Sequence, residues 1–158
     1  MLLREIKELI ITPSLHLTSL GGDNADILML CTGMQETKYE TLKQTHGPAL
    51  GPWQVEPQTH KDIKIWLGNR MNATMMTRIL SACQMEELPN GDDILIWNWR
   101  YSLLIARLVF HRARQPIPSY KDPSALAQYY CKYYNAGGAA MPETVTRLFK
   151  DVINELAK

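Results

Sequence analysis

Apolar residues recur at helical spacing along most of the chain, and short breaks rich in glycine, proline or aspartate separate one run from the next. This alternation constrains the fold strongly, because an amphipathic helix must bury its apolar face against another element. The spacing predicts helices over residues 2–11, 23–37, 57–68, 71–84, 93–114, 122–133 and 141–157. The chain is therefore predicted to be mainly α-helical.

The first of these helices is expected to be short. Its apolar stripe runs from Leu2 to Ile11, and the next two residues are Thr12-Pro13. A proline inside a helix removes a backbone donor and clashes with the preceding turn. The first helix is therefore predicted to end at Thr12-Pro13.

The run from about residue 93 to residue 114 is apolar on most of its sides. A turn at 89–92 precedes it, and Pro116 and Pro118 follow it, so one long helix is predicted at the centre of the fold. With 158 residues and neither a linker nor an internal repeat, the chain is expected to form a single domain, 1–158.

The segment between Tyr39 and Val55 interrupts the helical pattern. It contains Gly47-Pro48 and Gly51-Pro52, which constrain the backbone to a loop with short strand pieces at most. Any β region of this fold is therefore predicted to be small.

The net charge of +1 conceals an uneven distribution of charge. Residues 1–99 carry 8 basic and 12 acidic side chains, whereas residues 100–158 carry 9 basic and 4 acidic ones. Such an asymmetry is typical of a chain with one basic face, and we expect that face to meet an anionic polymer or a partner subunit.

The usual signatures of metal, cofactor and membrane proteins are missing from the sequence. Its three cysteines are far apart and its four histidines are scattered, so neither a metal nor a cofactor is expected. No apolar run reaches the ~20 residues of a membrane span. Residues 1–8 mix both charges and lack the layout of a signal peptide, so synthesis in the cytoplasm is expected.

Glu36 is the first candidate for chemistry. It lies at the end of the predicted helix 23–37, directly before the Gly/Pro-rich loop. The backbone carbonyls at a helix C-terminus disfavour a carboxylate, which raises the pKa of the carboxyl. A raised pKa suits a general acid near neutral pH, whereas a solvated surface glutamate is the alternative reading of this position.

Three short segments that include this glutamate resemble a known family. They are Glu36-Thr37, the run from Gly51 to Thr59, and Tyr134-Asn135-Ala136-Gly137. In this order, over about residues 23–138, they are similar to the motifs of the soluble lytic transglycosylases of the lysozyme-like superfamily. The similarity is greatest to short bacteriophage-encoded members. It implies a single lysozyme-like, transglycosylase-type domain with a cleft, followed by the C-terminal helix 141–157.

The resemblance implies roles for four residues. Glu36 resembles the catalytic acid and base, and Gln54 resembles the cleft glutamine that hydrogen-bonds the sugar. Tyr134 resembles the tyrosine that positions the acid, and Asn135 resembles the residue that shapes the turn beside the cleft. All four are thus expected to line the substrate groove.

Two positions depart from the family's pattern. Thr37 stands where the family usually has serine, a change that keeps the hydroxyl. Trp53 stands where the family usually has methionine, and its ring is expected to form a wall of the cleft and to stack on a sugar.

The resemblance also implies a mechanism in which one carboxyl has two tasks. Glu36 would protonate the glycosidic oxygen between N-acetylmuramic acid and N-acetylglucosamine. As a carboxylate it would then accept the muramyl 6-hydroxyl proton, which gives a 1,6-anhydro product. A second carboxylate, for which Glu40 and Glu56 are the candidates, would permit simple hydrolysis instead.

The sequence thus predicts a peptidoglycan-cleaving glycosidase that acts on glycan strands at the bacterial cell wall, carried by a phage virion or acting in lysis. The alternative is a phage structural protein of tail, neck or internal core that keeps the lysozyme-like fold and contacts other virion proteins, with or without activity. A small nucleic-acid binder is the least favoured class, because the net charge is near zero and no binding motif is present.

Overall fold

Residues 2–158 are described by a computed structural model, and most of them are helical. The α-helices are α1 (Leu2–Glu5), α2 (Thr12–Leu17), α3 (Asp23–Thr37), α4 (Pro57–Leu67), α5 (Ala73–Ala82), α6 (Ile94–Trp97), α7 (Trp99–Arg112), α8 (Pro123–Tyr133) and α9 (Pro142–Leu156). A π-helical segment, Ile6–Ile11, joins α1 to α2, and a 3₁₀ turn, Arg70–Asn72, precedes α5. The predicted mainly α-helical class is confirmed.

The N-terminal helical stretch continues past Pro13, so the stop predicted at Thr12-Pro13 is wrong. The π-helical segment lies directly before the proline, and the amide of Thr12 bonds to the carbonyl of Lys7, five residues back. Because the register changes here, Pro13 falls in the first turn of α2, where a helix needs no amide donor.

The prediction of one long central helix over 93–114 is also wrong, because the helix is interrupted at Asn98. This residue has the non-helical angles φ −101° and ψ 88°, and its side chain accepts a hydrogen bond from the amide of Tyr101. Asn98 thereby caps α7 and separates it from α6. The apolar residues on both sides of Asn98 conceal this break in the sequence.

Two helices form the centre of the core. Residues 25–33 of α3 and residues 101–108 of α7 are buried on every side. α3 packs on α8, α9 and the π-helical segment, and α7 packs on α4 and α5. The two ends of α3 therefore reach different parts of the surface, so that its first turn and Glu36 lie far apart.

The loop between α3 and α4 contains the only β pairing among residues 2–158. Isolated bridges join Lys43 to Leu50 and Leu50 to Val55, so the prediction of a small β region is confirmed. Lys38 adopts a left-handed conformation with φ 54° and ends α3, which turns the chain away from the helix axis.

Gly51 lies where this loop meets the core. Its φ is 78°, and a Cβ atom at this position would lie 2.0 Å from the carbonyl oxygen of Leu95. Only glycine allows the loop to approach α6 so closely. This contact fixes the path of residues 51–55 across the end of α3.

None of the helices within residues 2–158 combines the length and the apolar character that crossing a bilayer requires.

Candidate active site

A groove with a cavity volume of about 570 Å³ lies at the C-terminal end of α3. Its walls come from the end of α3, the loop 44–59, α7 and the turn after α8. Glu36, Gln54, Tyr134 and Asn135 all line it, although these residues are up to 99 positions apart in the sequence. Four of the six predicted site residues therefore share one groove.

Glu36 is half-buried at the edge of this groove. Burial raises the pKa of its carboxyl, and the hydrogen bond that it accepts from Tyr130 opposes this in part. Within residues 2–158, no lysine, arginine or histidine forms a salt bridge with Glu36. A carboxyl in such surroundings keeps its proton to a higher pH than a solvated glutamate does, as a general acid requires.

Tyr130 is the residue that holds the carboxyl. Its hydroxyl donates a hydrogen bond of 2.5 Å to Oε1 of Glu36. Burial and the neighbouring carboxylate raise the pKa of Tyr130, so its hydroxyl remains a proton donor across the physiological range. Phe149 of α9 packs against the Tyr130 ring at a centroid distance of 5.8 Å and fixes its position.

The prediction that Tyr134 positions the acid is therefore corrected. The Tyr134 hydroxyl donates instead to the backbone carbonyl of Trp53, at 2.5 Å. Tyr130 and Tyr134 are one helical turn apart and stacked, with a centroid distance of 5.9 Å. Tyr134 lines the groove, whereas Tyr130 is buried behind it and reaches the carboxyl of Glu36. The sequence motifs give no role to Tyr130, although its position four residues before Tyr134 places both on one face of a helix.

Trp53 does not line the groove, and the stacking role predicted for it is wrong. Its side chain is fully buried, and its indole nitrogen donates to the carbonyl of Met29 at 2.9 Å. The ring makes edge contacts with Tyr39 and Trp99, at centroid distances of 5.9 and 6.5 Å. Burial of this large apolar ring in the aromatic cluster is more favourable than its exposure to solvent. Trp53 therefore packs behind the residues that line the groove.

Thr37 is likewise buried, which removes it from direct contact with a substrate in the groove. Its hydroxyl donates to the carbonyl of Pro52 at 2.8 Å and accepts from the amide of Tyr39 at 3.1 Å. The substrate-binding role predicted for Thr37 is replaced by a positioning one. It ties the loop to the end of α3, next to Glu36.

Gln54 stands at the groove in a strained backbone conformation. Its φ is 49°, in the left-handed region that favours glycine or asparagine. Its Nε2 atom donates to the carbonyl of Gly51 at 3.1 Å, which orients the amide and leaves Oε1 without a protein donor among residues 2–158. This conformation turns the backbone at the groove, where the Gln54 side chain forms part of the lining.

Asn135 orders the turn that forms the opposite wall. Its Oδ1 atom faces the amide of Ala140 at 3.5 Å, and the amide of Gly138 bonds to its carbonyl at 3.0 Å. A Cβ atom on Gly138 would lie 1.9 Å from the same Oδ1, so the turn closes tightly over this side chain. Asn135 thus shapes the wall beside Glu36.

Only one of the two candidate second carboxylates lies at the groove. Glu56 lines it and is exposed to solvent, whereas Glu40 is exposed but does not line it. The groove therefore brings Glu36 and Glu56 together and leaves Glu40 outside.

Within residues 2–158, no group of three or more His, Cys, Asp or Glu side chains is arranged to hold a metal ion.

In comparisons with known proteins, no family model, no curated protein and no solved structure matches this chain.

Proposed function

We propose that this chain is a peptidoglycan-cleaving glycosidase of the lytic transglycosylase type, built as a lysozyme-like domain and carried by a phage virion or used in lysis. The Glu36–Tyr130 pair is the observation that carries the proposal. It places a half-buried carboxyl with a raised pKa in a groove that Gln54 and Asn135 also line. Glycan strands of the bacterial wall are the substrate class.

In the proposed reaction, protonated Glu36 gives its proton to the glycosidic oxygen as the bond from this oxygen to C1 of the muramyl sugar breaks. The resulting carboxylate then accepts the proton of the 6-hydroxyl, whose oxygen forms a new bond to C1. Glu36 therefore donates one proton and regains one in each turnover, and the product carries a 1,6-anhydro ring. Tyr130 holds the carboxyl oriented through both steps by its hydrogen bond to Oε1.

Hydrolysis is the variant of this reaction in which water replaces the 6-hydroxyl. It requires a second carboxylate, about 5–5.5 Å from the first in retaining enzymes or about 6.5–9.5 Å in inverting ones. Glu56 is the residue that can supply it, since it lines the same groove. Mass spectrometry of the released fragments distinguishes the two reactions, because only one leaves anhydro ends.

The test is the clearing of purified, insoluble peptidoglycan by the wild-type chain and by Glu36→Gln. We expect the substitution to reduce the rate by about 10²–10⁴-fold, the range of general acid–base catalysis. Glu40→Gln is the matched control, because Glu40 is exposed outside the groove and four residues further on. Equal rates for Glu36→Gln and wild type would exclude Glu36 as the acid.

One observation favours a second candidate, a phage structural protein that keeps the lysozyme-like fold. With Trp53 buried, Tyr134 is the only aromatic side chain that lines the groove within residues 2–158. A sugar then has fewer rings on which to stack. Wild-type protein that is folded, assembles with virion proteins and leaves peptidoglycan intact would establish this candidate and exclude the enzyme.

A further inference from the structure

A second and larger cavity, of about 1140 Å³, lies at the opposite end of α3 from Glu36. It is an open cleft lined by residues 21–25 at the start of α3, the C-terminal end of α7 and the segment 114–121. Asn24 and Glu36 are separated by roughly 18 Å along the helix axis, at about 1.5 Å per residue. The two cavities are therefore distinct.

The lining of this second cavity is strongly cationic. Arg107, Arg112, Arg114 and Lys121 line it, against the single carboxylate of Asp23. Within residues 2–158, none of these four cations forms a salt bridge with a carboxylate. The buried carboxylate of Asp26 balances part of the charge of Arg107, and the three other cations carry no such partner in the part of the chain that the structure describes. The space therefore keeps a net positive charge, which concentrates anions.

Arg107 is the deepest of these cations. Only 8% of the residue is exposed, and its Nε donates to the carbonyl of Leu20 at 3.1 Å. Residues 2–158 offer no hydrogen-bond acceptor to its two terminal nitrogens, and the buried carboxylate of Asp26 lies near enough to stabilise the guanidinium electrostatically. Asp26 therefore balances part of the charge of Arg107, while the terminal nitrogens remain available to a second anion.

The first turn of α3 adds further donors to the same space. Its N-cap, Gly22, has no side chain to satisfy the free amides of the helix, and the space around its Cβ position is open. The amide of Tyr120 donates to the Asn24 side chain at 2.9 Å, which holds the segment 114–121 over the cavity. The amides and the positive end of the helix dipole thus face the same space as Arg107.

We propose that this cavity binds a phosphate-bearing small molecule. Its phosphate group pairs with the recessed Arg107 and with the three exposed cations at the rim. A guanidinium fork matches the oxygens of a phosphate, and the buried position of Arg107 excludes the backbone of a DNA duplex from reaching it. Trp66 and Tyr120 also line the cavity, so aromatic side chains adjoin the group that carries the phosphate.

The experiment is a titration of the ¹⁵N-labelled chain with inorganic phosphate, a sugar monophosphate and a nucleoside monophosphate, each at constant ionic strength. We expect saturable shifts of the Asn24 and Ala25 amides and of the Trp66 indole, with half-saturation below ~1 mM for at least one ligand. The ligand that binds most tightly identifies the source of the phosphate.

Two sets of variants test the assignment of the cations. Arg112→Gln, Arg114→Gln and Lys121→Gln combined should weaken binding at least tenfold, and Asp23→Asn should strengthen it. Arg147→Gln with Lys150→Gln is the matched control, because both side chains are exposed on α9 and neither lines the cavity. All the cations that are replaced at the rim are exposed, so the fold is retained.

Shifts that rise linearly with ligand concentration, or binding that the triple variant leaves unchanged, would overturn the proposal. So would binding of a DNA duplex at these residues without binding of any of the three small ligands. Arg107→Lys is a further check, since it keeps the charge but loses the planar fork. It should weaken phosphate binding in a protein whose amide spectrum is otherwise that of the wild type.

Discussion

The hydroxyl of Tyr130 and the carboxyl of Glu36, 94 residues apart in the sequence, are joined by a hydrogen bond of 2.5 Å. The contact links the end of α8 to the end of α3. It also sets the protonation of the carboxyl, since burial raises the pKa of Glu36 and the bond from Tyr130 lowers it.

Tyr130→Phe removes that bond and leaves the burial in place. We expect the pKa of Glu36 to rise further, so that the acid form persists to a higher pH and the alkaline limb of the activity profile moves upward. The ¹³C chemical shift of the Glu36 carboxyl, followed by NMR against pH, reports the same change without requiring activity. Tyr133→Phe is the control, because within residues 2–158 Glu36 accepts its tyrosine hydrogen bond from Tyr130 and not from Tyr133. An equal shift in both variants would contradict the assignment.

Glu36→Gln should alter the pH dependence of stability in a defined direction. Since the folded-state pKa of Glu36 is raised above its ordinary value of 4.5, its neutral form stabilises the fold below that pH, and this contribution is lost as pH rises through the folded pKa. Glutamine imitates the neutral form at every pH. The Tm of Glu36→Gln relative to wild type should therefore increase from pH 4 to pH 7, and a constant difference would show that burial does not perturb the carboxyl.

Although Trp53 and Gln54 are adjacent, Trp53→Ala should mainly reduce stability, whereas Gln54→Ala should mainly weaken glycan binding. Loss of the buried indole costs about 3–5 kcal/mol of unfolding free energy. Gln54 is only half-buried and strained, so its replacement should change stability by less than about 1 kcal/mol and should weaken the binding of glycan fragments. Denaturant unfolding and fragment titrations measure the two effects. A stable Trp53→Ala with poor glycan binding would restore the stacking role.

His60 should make the fold sensitive to acid. It is fully buried between Asp92 and Tyr101, at 2.6 and 2.7 Å. The carboxylate of Asp92 accepts from Nδ1–H, which leaves Nε2 to accept from the Tyr101 hydroxyl in the neutral imidazole.

Burial lowers the pKa of His60 below its ordinary value of 6.5, and this effect outweighs the opposing hydrogen bond to Asp92. The stabilising contribution is therefore present above pH 6.5 and is lost as pH falls through the folded pKa. We expect wild-type Tm to fall more steeply between pH 7 and pH 5 than that of His60→Gln. Parallel curves for the two proteins would place the acid sensitivity elsewhere.

Local signals predicted most of the helices. Proline and aspartate at their starts, and apolar residues at a period of 3.6, placed α3, α4, α8 and α9 within about one residue of their observed bounds. The two errors, at Pro13 and Asn98, arose because a π-helical register and a side-chain cap decide these positions, and neither changes the hydrophobic pattern. The hydrophobic periodicity of the sequence therefore reveals neither the π-helical register nor the side-chain cap.

The site was predictable to the extent that it follows chain order. The motifs grouped Glu36, Gln54, Tyr134 and Asn135, and these four residues line one groove. They could not show that Trp53 is covered by Tyr39 and Trp99, because burial depends on packing between distant segments. For the same reason the motifs could not show that Tyr130, and not Tyr134, holds the carboxyl of Glu36.

The hydrogen bonds that hold residues 51–53 beside the groove all end on backbone oxygens. Thr37 donates to the carbonyl of Pro52, Tyr134 to that of Trp53, and Gln54 to that of Gly51. Substituting the side chain of Pro52 leaves such an acceptor in place. Position 52 can therefore diverge in descendants of this chain while the loop keeps its path, whereas Gly51 and Trp53 on either side are restricted by their packing.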